Sequence, residues 1–251
     1  MHGQADLGIA TLNDMRQNAE MIANLSRCTP LIADGDTGYG GPIMVARLTE
    51  QYARSGVAAF HIEDQVQTKR CGHLAGKVLV DVDTYLARIR AAVQARRRIG
   101  SDIVVIARTD ALQGLGYEES LNRLRAARDT GADVGFLEGV RSVSEAKQIV
   151  NDLHPWPLLL NMVEHGASPP FTAHEARDIG FRIMIIPVAA LAAAYEGIKQ
   201  SLKAWKDTGR SNPASATFSP LQLFRACGLD ESIAIDEAAG AATFEGGVDL
   251  P

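Results

Sequence analysis

The sequence predicts an α/β protein of the (β/α)8 TIM-barrel class, and three observations predict it. Short apolar runs recur at spacings from 24 residues (Val134 to Leu158) to 46 (Val57 to Ile103). Each run is followed by a stretch with helical periodicity, and nearly every run finishes on a polar or charged residue. A continuous apolar run is how a parallel strand covered on both faces reads, and chemistry in such folds collects where strands end. A barrel fits better than a doubly wound open sheet because candidate functional residues come from all six runs, whereas the open sheet gathers them at one switch point.

In chain order, Thr11 opens an amphipathic helix to about Asn24, with Asp14 three residues on as a capping-box variant. Pro30 to Asp36 is a strand ending in acids, followed by Gly35, Gly38, Gly40 and Gly41 as flexible points and a helix from Pro42 to Ser55. Val57 to Ile62 is the second strand. It runs into a polar, glycine-spaced loop with Lys69, Arg70, Cys71 and His73. Asp81 to Arg98 is helical, with Arg88, Arg90, Arg96 and Arg97 mostly on a solvated face. Strand Ile103–Arg108 ends in Arg108-Thr109-Asp110 and precedes helix Tyr117–Thr130. Strand Val134–Leu137 ends at Glu138 before helix Ser142–Leu153, and strand Leu158–Leu160 ends at Asn161 before helix Ala173–Ile179. The sixth strand, Arg182–Ile186, ends at Pro187; a long helix, Leu191–Lys206, a Gly/Ser/Asn/Pro linker over Gly209–Ala216, a helix beginning at Phe218 and a Gly-rich stretch from Gly240 to Pro251 follow. This organisation reads as a barrel domain over 1–208 and a linker with a helical tail over 209–251.

At 251 residues, 46% hydrophobic and 22% charged, the chain can bury a full core. A net charge of −5 argues against nucleic-acid or anionic-membrane partners, which select a basic excess. Cys28, Cys71 and Cys227 are odd in number and far apart, so a disulfide framework is not expected and a reducing compartment is, cytoplasmic first with mitochondrial left open. No signal-peptide pattern is read in Met1–Leu12, and the apolar stretch Ile183–Ala194 is broken by Pro187 and too short to span a bilayer.

The chemistry centres on Val57–Lys77, where two carboxylates, a thiol, an imidazole and two cations crowd together. Asp34 and Asp36, at a strand end, share a site with Glu63 if the next strand lies alongside. Three carboxylates without His or Cys suit Mg²⁺ or Mn²⁺ retaining several waters, rather than zinc; the bland alternative is a strand-end Asp-Gly turn. A cation facing Arg108 points to a substrate with carboxylates and a carbonyl or hydroxyl oxygen, the metal acting as Lewis acid. Cys71, between Arg70 and Gly72-His73 and near Lys69, is expected to have a lowered thiol pKa and to serve as nucleophile or general acid. Cys28 and Cys227 read as inert packing thiols. His61 reads as a hydrogen-bonded core residue, His165 as surface or lid, and His2, His154 and His174 as surface.

DGDTGYG at Asp34–Gly40, HIEDQ at His61–Gln65, KRCGH at Lys69–His73, RTD at Arg108–Asp110, FLEG at Phe136–Gly139 and NMVE at Asn161–Glu164 together resemble the isocitrate lyase / phosphoenolpyruvate mutase superfamily. The resemblance covers roughly Asp6 to Pro187. It implies a (β/α)8 barrel, a Mg²⁺-dependent site for 2-oxo- or 2-hydroxydicarboxylates, and a homo-oligomer, a dimer of dimers whose C-terminal helices are swapped. By position, Asp34, Asp36 and Glu63 match the metal site directly or through water. Arg108, Glu138 and Asn161 match substrate contacts, Gly72 and His73 the mobile gating loop, and Asp6 an acidic position beside the metal.

KRCGH is similar to the carbon–carbon bond-cleaving members rather than to the phosphonate mutases, with Cys71 protonating an enolate or aci-carboxylate fragment. Where methylisocitrate lyases carry an arginine, this chain has Ala192, which favours small dicarboxylates over a tricarboxylate. Val163 and Ser168 are more similar to the oxaloacetate acetylhydrolase and 2,3-dimethylmalate lyase branch. The first expectation is therefore hydrolysis of oxaloacetate to oxalate and acetate; the alternative is a lyase acting on 2,3-dimethylmalate or methylisocitrate. Family members have about two further β/α units before the Asp6 position. On that ground the 251-residue chain is expected to have exposed strand edges, poor stability and weak activity, and a non-catalytic metal- or dicarboxylate-binding protein is the reading from another class.

Overall fold

A computed structural model of the chain describes residues 3–26, 28–166, 168–212 and 218–244. His2, half of the expected linker and the last residues of the Gly-rich stretch lie outside them. The described chain forms two compact units, 1–188 and 189–251. The long helix that the sequence places with the barrel thus groups with the tail.

In the first unit, six strands form one sheet in which every pair is parallel and the order follows the chain: β1 (Ile32–Asp34), β2 (Ala59–Ile62), β3 (Val104–Thr109), β4 (Val134–Leu137), β5 (Leu158–Asn161) and β6 (Ile183–Ile185). Consecutive parallel order is that of a β/α barrel wall. All six strands expected from the apolar runs are present. The described residues carry six rather than the eight of a full barrel, and among them β1 and β6 are each paired on one side only.

Helices α1 (Leu12–Ala23), α2 (Pro42–Arg54), α3 (Val82–Arg98), α5 (Tyr117–Thr130), α6 (Val143–Leu153) and α7 (Ala173–Ile179) alternate with the strands, α4 (Ala111–Gly114) being one short turn before α5. Their ends follow local chemistry. Thr11 and Thr172 make reciprocal capping boxes with Asp14 and Glu175, and Asp81 and Ser142 accept from the backbones of Thr84 and Glu145. The second unit holds α8 (Ala189–Thr208), α9 (Pro220–Ala226) and α10 (Leu229–Ala238). Sequence reasoning missed α4 and α10, because a four-residue turn has no period and α10 lacks a one-sided apolar stripe. No helix among the described residues is long and apolar enough to cross a membrane.

Strand periodicity divides the sheet chemically, since successive side chains point to opposite faces. Phe60 and Ile62 of β2, Val105 and Ala107 of β3, and Leu158 and Leu160 of β5 point to the helices and build the main core with Leu48, Tyr52, Ile89, Leu124 and Ile149. The other face carries Ala59, Ile106, Val134, Phe136 and Leu159 toward the strand starts. Polar His61, Arg108 and Asn161 follow two residues after Ala59, Ile106 and Leu159, on that same face. The site is the C-terminal continuation of this inner layer.

Three expectations are corrected here. Arg88 is buried, because its guanidinium donates to the carbonyls of Glu63 (3.0 Å) and Gln65 (2.7 Å) and so fastens the end of β2 from behind. Cys28 and Cys227 are exposed rather than packed. His61 is buried and edge-on to Phe136, yet its Nδ1 makes no hydrogen bond among the described residues.

Candidate active site

The turn after β1 sets the acidic end of the site. Gly35 N–H donates to the His61 carbonyl and Glu63 N–H to the Asp36 carbonyl, both at 2.9 Å, so the β1–β2 ladder continues past the strands and brings Asp36 beside Glu63. Asp36 N–H donates to Asp34 Oδ1 (2.7 Å), closing a turn in which Asp36 has φ 45° and Gly38 φ 91°. A Cβ on Gly38 would lie 2.3 Å from Val45 Cγ2, so glycine is required there. Tyr52 O–H donates to the Asp34 carbonyl (2.6 Å), tying the turn to α2.

Lys69 is the unexpected centre of this end. Its buried ammonium lies 2.5 Å from Asp36 Oδ1 and 2.6 Å from Asp6 Oδ1. Burial alone would lower its pKa, but Asp34, Asp36 and Glu63 outweigh that and hold it raised. Asp34 is lowered: burial opposes, and His61, Lys69 and Arg108 win. Asp36 is raised to about 6 by burial and by Asp34, and Glu63 to about 8 by burial against the pull of Arg108.

Arg108, at the end of β3, organises the other half. Its Nε and Nη2 reach Asp110 Oδ2 (3.0 Å) and Oδ1 (3.2 Å), Nη1 lies 3.3 Å from Glu63, Nη2 lies 3.6 Å from Glu138, and the guanidinium sits over the Phe136 ring. Glu138 also accepts from Asn161 Nδ2 (3.2 Å) and lies 3.7 Å from His73 Nε2. Gly72 is pressed onto this pair: a Cβ there would meet Arg108 Nη2 and Glu138 Cγ, each at 2.6 Å. Asn161 Oδ1 and Ser168 Oγ are buried and unpartnered among the described residues. Gly166 lies against His73, since a Cβ on it would be 2.9 Å from the imidazole.

Cys71 is half-buried, its N–H donating to the Asp6 carbonyl (3.0 Å). The expected lowering of its pKa is overturned. Burial first, then the carboxylate of Asp6, push the thiol up, and the His73 N–H offsets only part of this. The neighbouring cations are spent elsewhere, Lys69 on the carboxylates and Arg70 Nη1 on the Ala75 carbonyl (3.1 Å).

Asp6, Asp34, Asp36, Glu63, Cys71, Gly72, His73, Arg108, Glu138, Asn161 and Ser168 thus converge on the C-terminal rim of the sheet or its adjoining loops. Sequence reasoning missed Lys69 as a carboxylate partner and Lys77 and Asp110 as an ion pair. It also missed buried Asp64, which accepts from Thr109 Oγ1 (2.6 Å) and Asp110 N–H (2.9 Å) and pairs with Arg123 (3.2 Å) on the helix side. The period-two rule separates Glu63 from Asp64 once the inner face is known. His165 is exposed with φ 61°, and His154 and His174 are exposed, as expected.

The residues present fit a divalent cation. Both Glu63 carboxylate oxygens are buried without a hydrogen-bond donor among the described residues, and two of the three carboxylates are raised, first by burial, which a bound cation would offset. Among the described residues no three of His, Cys, Asp and Glu converge as direct ligands, so Asp34, Asp36 and Glu63 would hold Mg²⁺ partly through water, as that ion prefers. The raised carboxylates bind protons in the folded chain where the unfolded chain has lost them. Their stabilisation is fully present below their ordinary values of 3.8 and 4.5 and is lost as pH rises through about 6 and about 8. Metal-free protein is therefore expected to lose thermal stability from about pH 5 to about pH 8, and Mg²⁺ to raise Tm most at the alkaline end. An equal Mg²⁺ effect at both ends, in melts with and without chelator, would contradict this.

Residues 1–206 match the family model described as phosphoenolpyruvate phosphomutase. Among curated proteins, the chain is 37% identical over 196 residues to the 2,3-dimethylmalate lyase of Eubacterium barkeri, covering 78% of this chain and 66% of that protein. It is 37% identical over 204 residues to the 2-methylisocitrate lyase of Aeropyrum pernix, covering 81% and 64%. The chain thus spans slightly less than two thirds of the length of these relatives. A crystal structure of 2,3-dimethylmalate lyase, a PEP mutase/isocitrate lyase superfamily member, is 68% identical with a TM-score of 0.95, covering 99% of this chain and 82% of that one. An oxaloacetate acetylhydrolase in complex with 3,3-difluorooxalacetate is 58% identical with a TM-score of 0.92, covering 97% and 82%. By sequence match, fold and motif order, the chain belongs to the phosphoenolpyruvate mutase/isocitrate lyase superfamily.

Proposed function

We propose that the chain cleaves a carbon–carbon bond of a small 2-oxo- or 2-hydroxydicarboxylate, with Cys71 delivering the proton that quenches the carbanionic fragment. The observation that carries this reading is a thiol kept protonated by burial and Asp6 on the loop whose Gly72 touches Arg108 and Glu138. A nucleophilic cysteine needs a lowered pKa; an acid needs its proton. Arg108 binds a substrate carboxylate, and Asn161 and Ser168 offer hydrogen-bonding atoms that have no partner among the described residues. A 2-oxo acid first adds water at its carbonyl; a 2-hydroxy acid already carries the hydroxyl. As the bond breaks, that hydroxyl yields its proton to solvent and becomes a C=O, the electron pair stays on the carbon bearing the distal carboxylate, and that carbon takes the Cys71 proton. Mg²⁺, when bound by the carboxylate end, supplies Lewis-acid stabilisation of the developing negative charge.

For substrate, hydrolysis of oxaloacetate to oxalate and acetate is the first reading, supported by the buried Ser168 hydroxyl, which has no partner among the described residues. Cleavage of 2,3-dimethylmalate is the second, supported by the 68% identity to a lyase of that name. The test is oxalate release from oxaloacetate run beside 2-oxo-acid release from 2,3-dimethylmalate, with Mg²⁺. Oxalate supports the first reading, 2-oxo acid the second, and turnover of neither sinks both. A homo-oligomer belongs to the same proposal. Leu191, Tyr195, Ile198, Leu202 and Trp205 are exposed on α8, as an assembly helix requires.

A further inference from the structure

The strap from Val66 to Val80 carries the cysteine, yet little apolar packing holds it. Leu74 and Val78 are exposed, and a cavity of about 630 Å³ is lined by residues 75–81 on one side and by Asp110, Leu115 and Arg123 on the other. Its base is tied by a short ladder, Val66 N–H to the Val78 carbonyl and Val80 N–H to the Asp64 carbonyl, each at 2.9 Å. Its shoulder is clasped by Gln65, whose amide bonds both the carbonyl (2.9 Å) and the N–H (3.2 Å) of Arg70. The tip is tied on one side by Cys71 N–H to the Asp6 carbonyl (3.0 Å) and by His73 Nε2, 3.7 Å from Glu138, and on the side of Arg108 by Lys77. Its Nζ donates to the Gly72 carbonyl (2.7 Å) and to Asp110 Oδ1 (3.0 Å), and Asp110 uses that same Oδ1 together with Oδ2 to fix the fork of Arg108. Lys77 and Asp110 side chains are 4% and 0% exposed, so these are desolvated, charge-assisted bonds.

We infer that Lys77 and Asp110 are positioning residues that fasten the Cys71–Gly72–His73 tip to Arg108, making closure of the cysteine loop and alignment of the substrate-facing guanidinium one event. Neither side chain needs to touch substrate. Gly72 is the third part of the device. Its bare Cα lets the tip descend onto Arg108 and Glu138, and the Lys77 bond to the Gly72 carbonyl holds it there. The kinetic consequence rests on the cleavage reading above; the mechanical one does not.

The test compares Lys77→Met and Lys77→Arg with wild type, in the presence of Mg²⁺. Limited trypsinolysis reads the loop through cleavage after exposed Arg70, identified by mass, and steady-state kinetics reads the site. In Lys77→Met, cleavage after Arg70 is expected to rise at least about tenfold, the scale of one lost charge-assisted hydrogen bond. The kcat is expected to fall roughly 100-fold with a much smaller change in KM, because a misplaced proton donor costs the transition state more than binding. Lys77→Arg, which keeps the charge and the donors, is expected to recover most of both. Unchanged cleavage in Lys77→Met, or Lys77→Arg behaving like Lys77→Met, would overturn the inference. If wild type turns over no substrate while Lys77→Met still exposes Arg70, the fastening stands and the cleavage reading falls.

Discussion

Replacing Cys71 with alanine is expected to lower kcat by roughly 10²- to 10⁴-fold, the range that a positioned general acid supplies, while oxalate binding changes little. In the proposed site the thiol is one of several groups, and the bonds of Arg108 to Asp110 and of Asn161 to Glu138 do not involve it. Because burial and Asp6 raise the Cys71 pKa above its ordinary 9.0, the proton stays on sulfur through neutral pH and is lost only on the alkaline side. The pH–rate profile of wild type is therefore expected to fall at alkaline pH. A profile that rises there, or a substrate-derived covalent adduct on Cys71 found by mass spectrometry, would count against the acid and for a nucleophile.

Replacing Arg108 with methionine is expected to cost fold as well as turnover. The guanidinium is the shared partner of Glu63, Asp110 and Glu138, all with side chains no more than 1% exposed. Removing it leaves three buried carboxylates facing one another, a change of about 3–5 kcal/mol by the behaviour of broken buried ion pairs. The sign of the pH dependence follows. Protonation neutralises the orphaned carboxylates, so the gap in unfolding free energy between wild type and Arg108→Met should narrow as pH falls toward 5 and widen toward 8, taken as approximate assay limits. Arg108→Lys should recover stability better than activity, since an ammonium restores the charge but not the two-pronged contact with Asp110. Equal stability of Arg108→Met and wild type in urea titrations would show that the cluster is solvated in solution.

The six strands and most of the helices around them were legible because each was written in a local code. A parallel strand covered on both faces must be continuously apolar, and Thr11, Asp81, Ser142 and Thr172 mark helix starts by satisfying backbone donors within three residues. The candidate site was legible for the same reason: Asp34, Glu63, Arg108, Glu138 and Asn161 each stand at or just beyond a strand end, where a β/α fold collects its chemistry. The helix α10 was not, having no strong period to read.

What only the tertiary structure decided is which charge answers which. Adjacent Glu63 and Asp64 look alike in sequence; the pleat sends one to the inner face toward Arg108 and the other outward to Thr109 and Arg123. Lys69 stands two residues from Cys71 and looks like an activator of the thiol, but it lies across the turn on Asp36 and Asp6, 33 and 63 residues away. The Cys71 thiol is therefore buried beside an acid rather than a cation, and burial first and then Asp6 move its pKa up instead of down. Lys77 and Asp110 are likewise 33 residues apart and meet only because strap and β3 end on the same rim. Propensity and periodicity act over a few residues and so are written in the chain. Coulombic pairing in a desolvated site depends on distances between segments remote in sequence, and those are set when the sheet assembles.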